Sequence, residues 1–92
     1  MQLLTQTHVA INQTMILATE QSPHALRFYR NRRGRLRLKV DAKSYPAKHS
    51  LIFSIEGARC HIRIKDLGQC IAFAMNGTTK LLLVVPQENT HE

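Results

Sequence analysis

Apolar and polar residues alternate over the last two-thirds of the chain, in short runs that are separated by glycines. In the clearest run, Cys60, Ile62 and Ile64 occupy every second position between Arg59 and Lys65. Successive side chains of a β-strand point to opposite faces, so this alternation indicates strands with one buried face. Glycine is a common turn residue because it accepts backbone conformations that other residues avoid. The pattern therefore predicts a mainly β protein built from antiparallel strands and tight turns.

Residues 50–85 are predicted to form a small antiparallel sheet, or a barrel-like meander, of four strands. For the first hairpin, a two-residue turn at Gly57-Ala58 suits type II′ geometry, which has glycine at the first central position. This register places Ile55 opposite Cys60 and sets apolar residues against each other along both strands. Apolar pairs across a ladder are favourable, and this supports the register.

Two more turns extend the predicted meander. A four-residue turn at Lys65–Gly68 would pair Ile62 with Ile71. A three-residue loop at Asn76–Thr78 would then join the third strand to a fourth, Lys80–Val85, in a last hairpin. This fourth strand is apolar on both faces, which is typical of a strand that is central in its sheet or covered on both sides. The proline that follows ends it, because proline cannot continue a paired strand.

The segment between residues 22 and 40 has two interpretations. In an α+β arrangement, a short helix would begin after the cap residue Ser22 and end at Gly34, ahead of one strand. In a β-hairpin, Leu26–Arg30 would pair with Leu36–Val40 around a five-residue loop. The hairpin is favoured because both of its arms alternate. It would turn five apolar side chains toward the core: Leu26, Phe28, Leu36, Leu38 and Val40.

The remaining segments complete a single predicted domain over residues 1–92. Thr5–Ile11 and Thr14–Thr19 alternate and favour strands, while one helical face over residues 4–18 is the alternative. Asp41–His49 contains serine, proline and two lysines, and it is expected to be a connecting loop.

Positive charge is concentrated in one part of the chain. Of the 13 Lys and Arg residues, seven lie between Arg27 and Lys39, where no acidic residue occurs. The net charge is +7 at pH 7, with a pI near 10.1. A charge of this size favours polyanionic partners, namely nucleic acid (DNA or RNA) or an acidic protein. Arginine suits phosphate because its planar guanidinium donates two parallel hydrogen bonds.

The arginine-rich segment provides the candidate binding residues. In the hairpin, one face would carry cations beside Tyr29, whose ring adds a stacking surface for an unpaired base. The predicted nucleic-acid contacts are Arg27, Tyr29, Arg30, Arg32, Arg33, Arg35, Arg37 and Lys39. The first function predicted is therefore a small basic protein that contacts nucleic-acid phosphates through residues 27–39.

Two other functions fit the same sequence. An interaction module, such as a small regulator or inhibitor, could dock through the arginine-rich segment on an acidic protein surface. A small ribonuclease could use His61 for proton transfer, with Arg63 and Lys65 on the same strand face to stabilise the phosphorane. Because the sequence places no second histidine near His61, a non-enzymatic protein is favoured.

Metal and disulfide chemistry find little support in the sequence. Cys60 and Cys70 are predicted to lie on opposite faces of the sheet, so they are expected to be small buried hydrophobes and not a disulfide. Neither cysteine has a second ligand at the spacing of a zinc site. No metal and no cofactor are expected, and no motif is specific enough to indicate a protein family.

The location and assembly of the chain are expectations from composition. The first residues lack the basic start and apolar stretch of a secretory signal, so the cytoplasm is expected. The longest apolar run, Leu81–Pro86, is far shorter than the ~20 residues of a membrane span. A homodimer is a further expectation, because a short chain with a last strand apolar on both faces has little structure of its own to cover it.

Overall fold

The computed structural model describes residues 2–4, 6–77 and 81–86, and every regular element in these ranges is a β-strand. The strands are β1 Gln2–Leu4, β2 Gln6–Ala10, β3 Thr14–Ala18, β4 Pro23–Arg30, β5 Leu36–Val40, β6 Lys43–Pro46, β7 Ser50–Ile55, β8 Ala58–Asp66, β9 Cys70–Gly77 and β10 Leu82–Val85. They form a six-stranded sheet in the order β1-β10-β3-β4-β5-β6 and a four-stranded sheet in the order β2-β9-β8-β7, both antiparallel. The mainly β prediction is confirmed, and residues 22–34 do not form the alternative helix.

The two sheets enclose one hydrophobic core. Phe28 of the six-stranded sheet meets Phe73 of the four-stranded sheet, with ring centroids 5.8 Å apart in a tilted contact. Both sheets supply the largest side chains that are fully buried: Phe28, Met15, Leu17, Leu26, Leu38, Ile62, Ile71 and Cys60. Burial of one such side chain contributes about 1.5–3 kcal/mol, so this layer supplies the main attraction between the sheets.

The arginine-rich segment forms the predicted hairpin. Strands β4 and β5 pair with Phe28 opposite Leu38 and Leu26 opposite Val40, which is the predicted register. All five residues that were expected to face the core are buried. The N-terminal strands favoured by alternation are also present, as β2 and β3. Local alternation was sufficient for the hairpin because both partners of β4, namely β3 and β5, are its neighbours in sequence.

The hairpin between β7 and β8 keeps the predicted faces but has a different register. Its turn is Glu56-Gly57 instead of Gly57-Ala58, and both turn residues have positive φ, 52° and 80°. Two such residues give a type I′ turn, whose twist matches that of the strands. Phe53, and not Ile55, therefore lies opposite Cys60. A shift of two residues leaves every side chain on its predicted face, because the strand period is two.

The rest of the predicted meander is wrong in two respects. Between β8 and β9, Ile62 pairs with Met75 instead of Ile71. In addition, β10 does not form a hairpin with β9, because β2 occupies that edge of β9 and β10 pairs with β3 and β1. Residues 50–77 thus form a three-stranded meander, and the chain then crosses to the other sheet. The last strand was expected to be central in its sheet or covered on both sides, and it lies between β1 and β3.

Strand β6 replaces the middle of the predicted loop at Asp41–His49. It pairs with β5 at the edge of the six-stranded sheet, and the ring of Tyr45 lies 6.0 Å from that of Phe53 across the core. Serine, lysine and Pro46 are poor residues for a central strand, but an edge strand tolerates them because one side of its backbone has no partner strand.

Both cysteines are free thiols: Cys60 is buried in the core, and Cys70 is half-buried on β9 opposite Ala10. No helix in the described ranges is long and apolar enough to cross a membrane.

Candidate polyanion-binding surface

The loop between β4 and β5 presents three exposed arginines, Arg32, Arg33 and Arg35. The side-chain oxygen of Asn31 accepts hydrogen bonds from the backbone N–H groups of Arg33 and Arg35, at 2.9 and 3.0 Å. The carbonyl of Asn31 also accepts a bond from the N–H of Gly34, whose φ of 77° suits glycine. These bonds hold one loop conformation, so the arginines are presented at a fixed position. We call this loop, residues 31–35, the hairpin tip.

The outer face of the hairpin carries further cations around Tyr29. The Nε of Arg37 donates to the hydroxyl oxygen of Ser44 at 2.7 Å, and the Tyr29 hydroxyl lies 2.5 Å from the same oxygen. The bond with Ser44, followed by the nearby Arg37 and Lys39, holds the pKa of Tyr29 below its usual value. The Arg27 guanidinium lies 5.5 Å from the centroid of the Tyr29 ring. One face of that ring is therefore covered by a cation, which limits its use for stacking.

Arg30 differs from the other predicted contact residues because it joins the two sheets. Its side chain lies on the same face of β4 as that of Phe28. Its Nη1 and Nη2 donate to the two carboxylate oxygens of Asp66 at 2.9 and 2.8 Å. A further bond runs from Arg30 to the carbonyl of Gly68. The Arg30 guanidinium and the Gly68 N–H lower the pKa of Asp66 to about 2. Arg30 and Asp66, which we call the Arg30 clamp, therefore serve the fold first.

A second row of basic side chains lies on the outer face of β8, in the four-stranded sheet. The sequence predicted that His61, Arg63 and Lys65 share one strand face, and alternate burial along β8 confirms it: Cys60, Ile62 and Ile64 are buried while Arg63 and Lys65 are exposed. Arg59 begins the same row, which we call the β8 row: Arg59, His61, Arg63 and Lys65. On neighbouring β9, Ala74 lies opposite Arg63 and Ala72 opposite Lys65, so only small side chains flank these cations.

Two open cavities connect the hairpin tip with the β8 row. The first, of about 980 Å³, is lined by residues of the tip, by Lys48 and by the end of β8. The second, of about 670 Å³, lies over β8 and β9 and is lined by His61 and Arg63 among others. The cavities share His49, Ile64 and Lys65 in their walls. Together they form one groove at the rim of the sandwich, which we call the rim groove.

At the other end of β4, His24 joins the sheets in the way that Arg30 does. Its Nδ1 lies 2.7 Å from an Asp41 oxygen, and its Nε2 lies 2.6 Å from a Glu56 oxygen. The Glu56 carboxylate also accepts bonds from the hydroxyls of Thr19 and Ser22. The bond with Glu56, then that with Asp41, raises the pKa of His24 above its usual value, and His24 lowers the pKa of both carboxyl groups. We call His24, Asp41 and Glu56 the His24 clamp.

The acidic side chains of the described ranges all lie in turns, in loops or at strand ends. Asp41 and Glu56 belong to the His24 clamp, Asp66 belongs to the Arg30 clamp, and Glu20 lies between β3 and β4. In the part of the chain that the structure describes, the outer-face positions of β8 from Arg59 to Lys65 carry no acid. On the hairpin, Asp41 lines a small cavity together with Arg27 and Lys39, so these two cations have one carboxylate beside them.

Sequence reasoning found the hairpin cations but missed the groove, and it did not place His49 in the cavity that His61 lines. The signal that could have identified the role of Arg30 was its spacing, because it continues the core-facing series Leu26 and Phe28. The groove depends on how the sheets pack, so no local pattern reports it. Within the described ranges, no three His, Cys, Asp or Glu side chains come together in a way that could hold a metal ion.

Comparison with protein-family models, with curated proteins and with solved structures finds no match for this chain.

Proposed function

We propose that the protein binds nucleic acid, with the arginines of the hairpin tip contacting backbone phosphates. The observation that carries this proposal is the fixed presentation of Arg32, Arg33 and Arg35, all exposed, on a loop ordered by Asn31. Like charges repel, so a cluster without acids on its face is a poor arrangement for solubility alone. Phosphates would relieve that repulsion, and the arginine fork matches their geometry.

The test is binding of fluorescein-labelled oligonucleotides over a salt series. We expect log affinity to fall linearly with log salt, by about 0.9 for each duplex phosphate contacted and about 0.7 for each single-strand phosphate. The variant Arg32→Ala/Arg33→Ala/Arg35→Ala should bind at least ten times more weakly, with a slope reduced by about 2–3 units. Its melting temperature should be unchanged, because exposed loop side chains bury little surface.

Lys43 supplies the matched control for single substitutions. It is exposed on β6, toward the end of the sandwich that carries the His24 clamp. Lys43→Ala removes one positive charge, as Arg33→Ala does, but it should change affinity less than twofold. Equal effects of the two substitutions would indicate that only the net charge of the protein matters. If no labelled oligonucleotide binds at low salt, nucleic-acid binding is refuted.

A second candidate function is cleavage of RNA, because the structure brings His49 into the groove that His61 lines. One imidazole would take the proton of a ribose 2′-hydroxyl, whose oxygen attacks the adjacent phosphorus. The other would protonate the departing 5′ oxygen, leaving a 2′,3′-cyclic phosphate. Arg63 and Lys65 would stabilise the phosphorane charge. Cleavage of RNA but not DNA, lost in both His49→Ala and His61→Ala, is the expected result, and cleavage that persists in both variants would exclude these histidines.

Docking on an acidic protein surface uses the same cations and stays an alternative proposal. Polyglutamate separates the two, because it carries carboxylates without phosphates or bases. Equal competition by polyglutamate and by an oligonucleotide of the same charge would favour the acidic protein. The cytoplasmic location and the homodimer also stay predictions, the latter measurable by light scattering of the eluted protein.

A further inference from the structure

The two cationic surfaces face away from each other. The outer face of the hairpin belongs to the six-stranded sheet, and the β8 row belongs to the four-stranded sheet. In a two-layer sandwich, the outer faces point in opposite directions. The rim groove joins the two surfaces, because Arg37 of the hairpin's outer face lines one of its cavities together with the hairpin tip, and residues of the β8 row line the other.

The dimensions of the domain limit the nucleic acid that could follow this path. The Cα atoms of the protein span 36 × 34 × 22 Å. A nucleic acid that contacts both surfaces would therefore have to change direction around a domain whose shortest extent is 22 Å. A duplex rises about 3.4 Å per base pair, and this distance corresponds to roughly six base pairs. Bending 20–30 base pairs by only 40–90° already costs about 1–6 kcal/mol. A duplex is therefore too stiff to contact both surfaces, whereas a single strand can turn at each nucleotide.

We propose that one single-stranded nucleic acid runs from the hairpin tip through the rim groove onto the β8 row. This inference rests on the proposed function and assigns it a second contact surface and a substrate class. Arg63 and Lys65 contact phosphates, and the imidazoles of His49 and His61 lie against bases. Histidine is among the side chains on which unpaired bases stack.

The geometry of β8 suits an extended single strand. Side chains on one face of a strand recur about every 7 Å, which is similar to the distance between successive phosphates of an extended single strand. Ala72 and Ala74 stand opposite Lys65 and Arg63, so no bulky side chain separates the β8 row from the strand beside it. The sheet surface beside these cations therefore leaves room for a nucleotide chain to lie along β8.

The experiment compares one sequence as a single strand and as a blunt duplex, at lengths from about 4 to 16 nucleotides. For Arg63→Ala/Lys65→Ala, we expect single-strand affinity to fall at least tenfold, with the salt slope reduced by about 1.4 units. Duplex affinity should change less than twofold. In the unsubstituted protein, single-strand affinity should rise at the length at which the strand first reaches the β8 row. The double variant should lack this rise.

Two controls keep a folding defect separate from a binding defect. Arg63→Gln/Lys65→Gln retains long polar side chains without charge, and it should match the alanine variant in affinity while melting like the unsubstituted protein. Lys43→Ala removes a charge distant from the groove, and it should leave both affinities within twofold. A melting temperature that falls only in the alanine variant assigns that change to packing, and the glutamine variant then decides the question.

The outcomes separate this inference from the proposed function. If the hairpin-tip variant binds weakly while the Arg63/Lys65 variants bind normally, the strand does not reach the β8 row and only this inference fails. If those variants weaken single strand and duplex alike, selection for single strands is wrong. If no oligonucleotide binds at all, both proposals fail together.

Discussion

Strand β4 is attached to the opposite sheet at both ends, and the two attachments differ in composition. At the first end, one histidine lies between two carboxylates, Asp41 and Glu56. At the second end, one arginine lies against one carboxylate, and the surrounding cavity is lined by further cations of the hairpin tip and by Lys48. The first end thus has a local excess of negative charge, while the second end keeps an excess of positive charge.

This difference explains how a small chain can carry a net charge of +7 and still hold its sheets together. Three of the acids in the described ranges are used in the two clamps, where each contacts a cation that faces the core side of β4. Among the described residues, none of the remaining cations of the hairpin and of β8 forms an ion pair with these acids. The charges that stabilise the fold and those that we propose for binding are therefore separate sets.

The His24 clamp should give the largest effect on stability when it is broken. His24→Ala removes two charge-assisted hydrogen bonds and leaves the Asp41 and Glu56 carboxylates without their shared partner. Bonds of this kind contribute about 1.5–3 kcal/mol each, but Asp41 is 49% exposed and solvent screening weakens its bond, so we expect the free energy of unfolding to fall by about 2 kcal/mol. Urea denaturation followed by circular dichroism measures it, with affinity for an oligonucleotide as the second measurement.

Affinity for an oligonucleotide is the control, because it tests whether the two ends of β4 act independently. Because the His24 clamp lies away from the hairpin tip, the folded fraction of His24→Ala should bind as tightly as the unsubstituted protein. Loss of affinity at a temperature where the variant is fully folded would mean that the two ends of β4 are not independent.

The fold was predictable where pairing is local and unpredictable where strands compete. The β4–β5 hairpin followed from alternation alone, down to Phe28 opposite Leu38. The β7–β8 register was missed because Glu56 adopts a positive φ, which is uncommon in a residue other than glycine. The sequence therefore favoured a turn that begins at Gly57. The separation of β9 from β10 depends on β2, whose partners are distant in sequence, so no pattern within residues 50–85 reports it.

For the candidate site, the sequence could count charges but could not sort them. It placed Arg30 among the binding residues, whereas the structure shows that its guanidinium is shared with Asp66 and Gly68. It identified the His61 face without its connection to the hairpin tip, because that connection exists only once the two sheets have packed. Charge composition therefore suggested only a class of partner. The proposed route of a strand through the rim groove required knowledge of how the two sheets pack.

The pH dependence of stability should show the His24 clamp directly. The pKa of His24 is raised above 6.5, so its contribution is present below pH 6.5 and is lost as the pH rises through the folded value. The pKa values of Asp41 and Glu56 are lowered from 3.8 and 4.5, so their contribution is lost as the pH falls through the folded values. The clamp should therefore stabilise most between about pH 4.5 and pH 6.5.

His24→Gln isolates this effect because glutamine keeps a hydrogen-bonding side chain that does not titrate. The difference in free energy of unfolding between the protein and this variant, measured from pH 4 to 9, should be largest in that window and should shrink as the pH rises. A difference that stays constant across the range would show that the clamp acts without its charge.

The Arg30 clamp should give the smallest change, and it links the two regions. The Asp66 side chain is 42% exposed, so solvent screening limits the cost of Asp66→Asn to about 1 kcal/mol at neutral pH. Because the pKa of Asp66 is lowered from 3.8 to about 2, its contribution is present above pH 4 and is lost as the pH falls toward 2. The unfolding curves of the protein and of Asp66→Asn should therefore converge over that interval.

Asp66→Asn also removes a carboxylate from the wall of the rim groove, which should increase the positive charge facing a bound strand. Affinity for a single strand should then rise by a few-fold at low salt while stability at neutral pH falls. A matched loss of both would mean that the Arg30 clamp positions the hairpin tip for binding, and the structural and binding charges would have to be treated as one set. Opposite signs for the two measurements are what the separation of these charges requires, because the same acid supports the fold and opposes the polyanion.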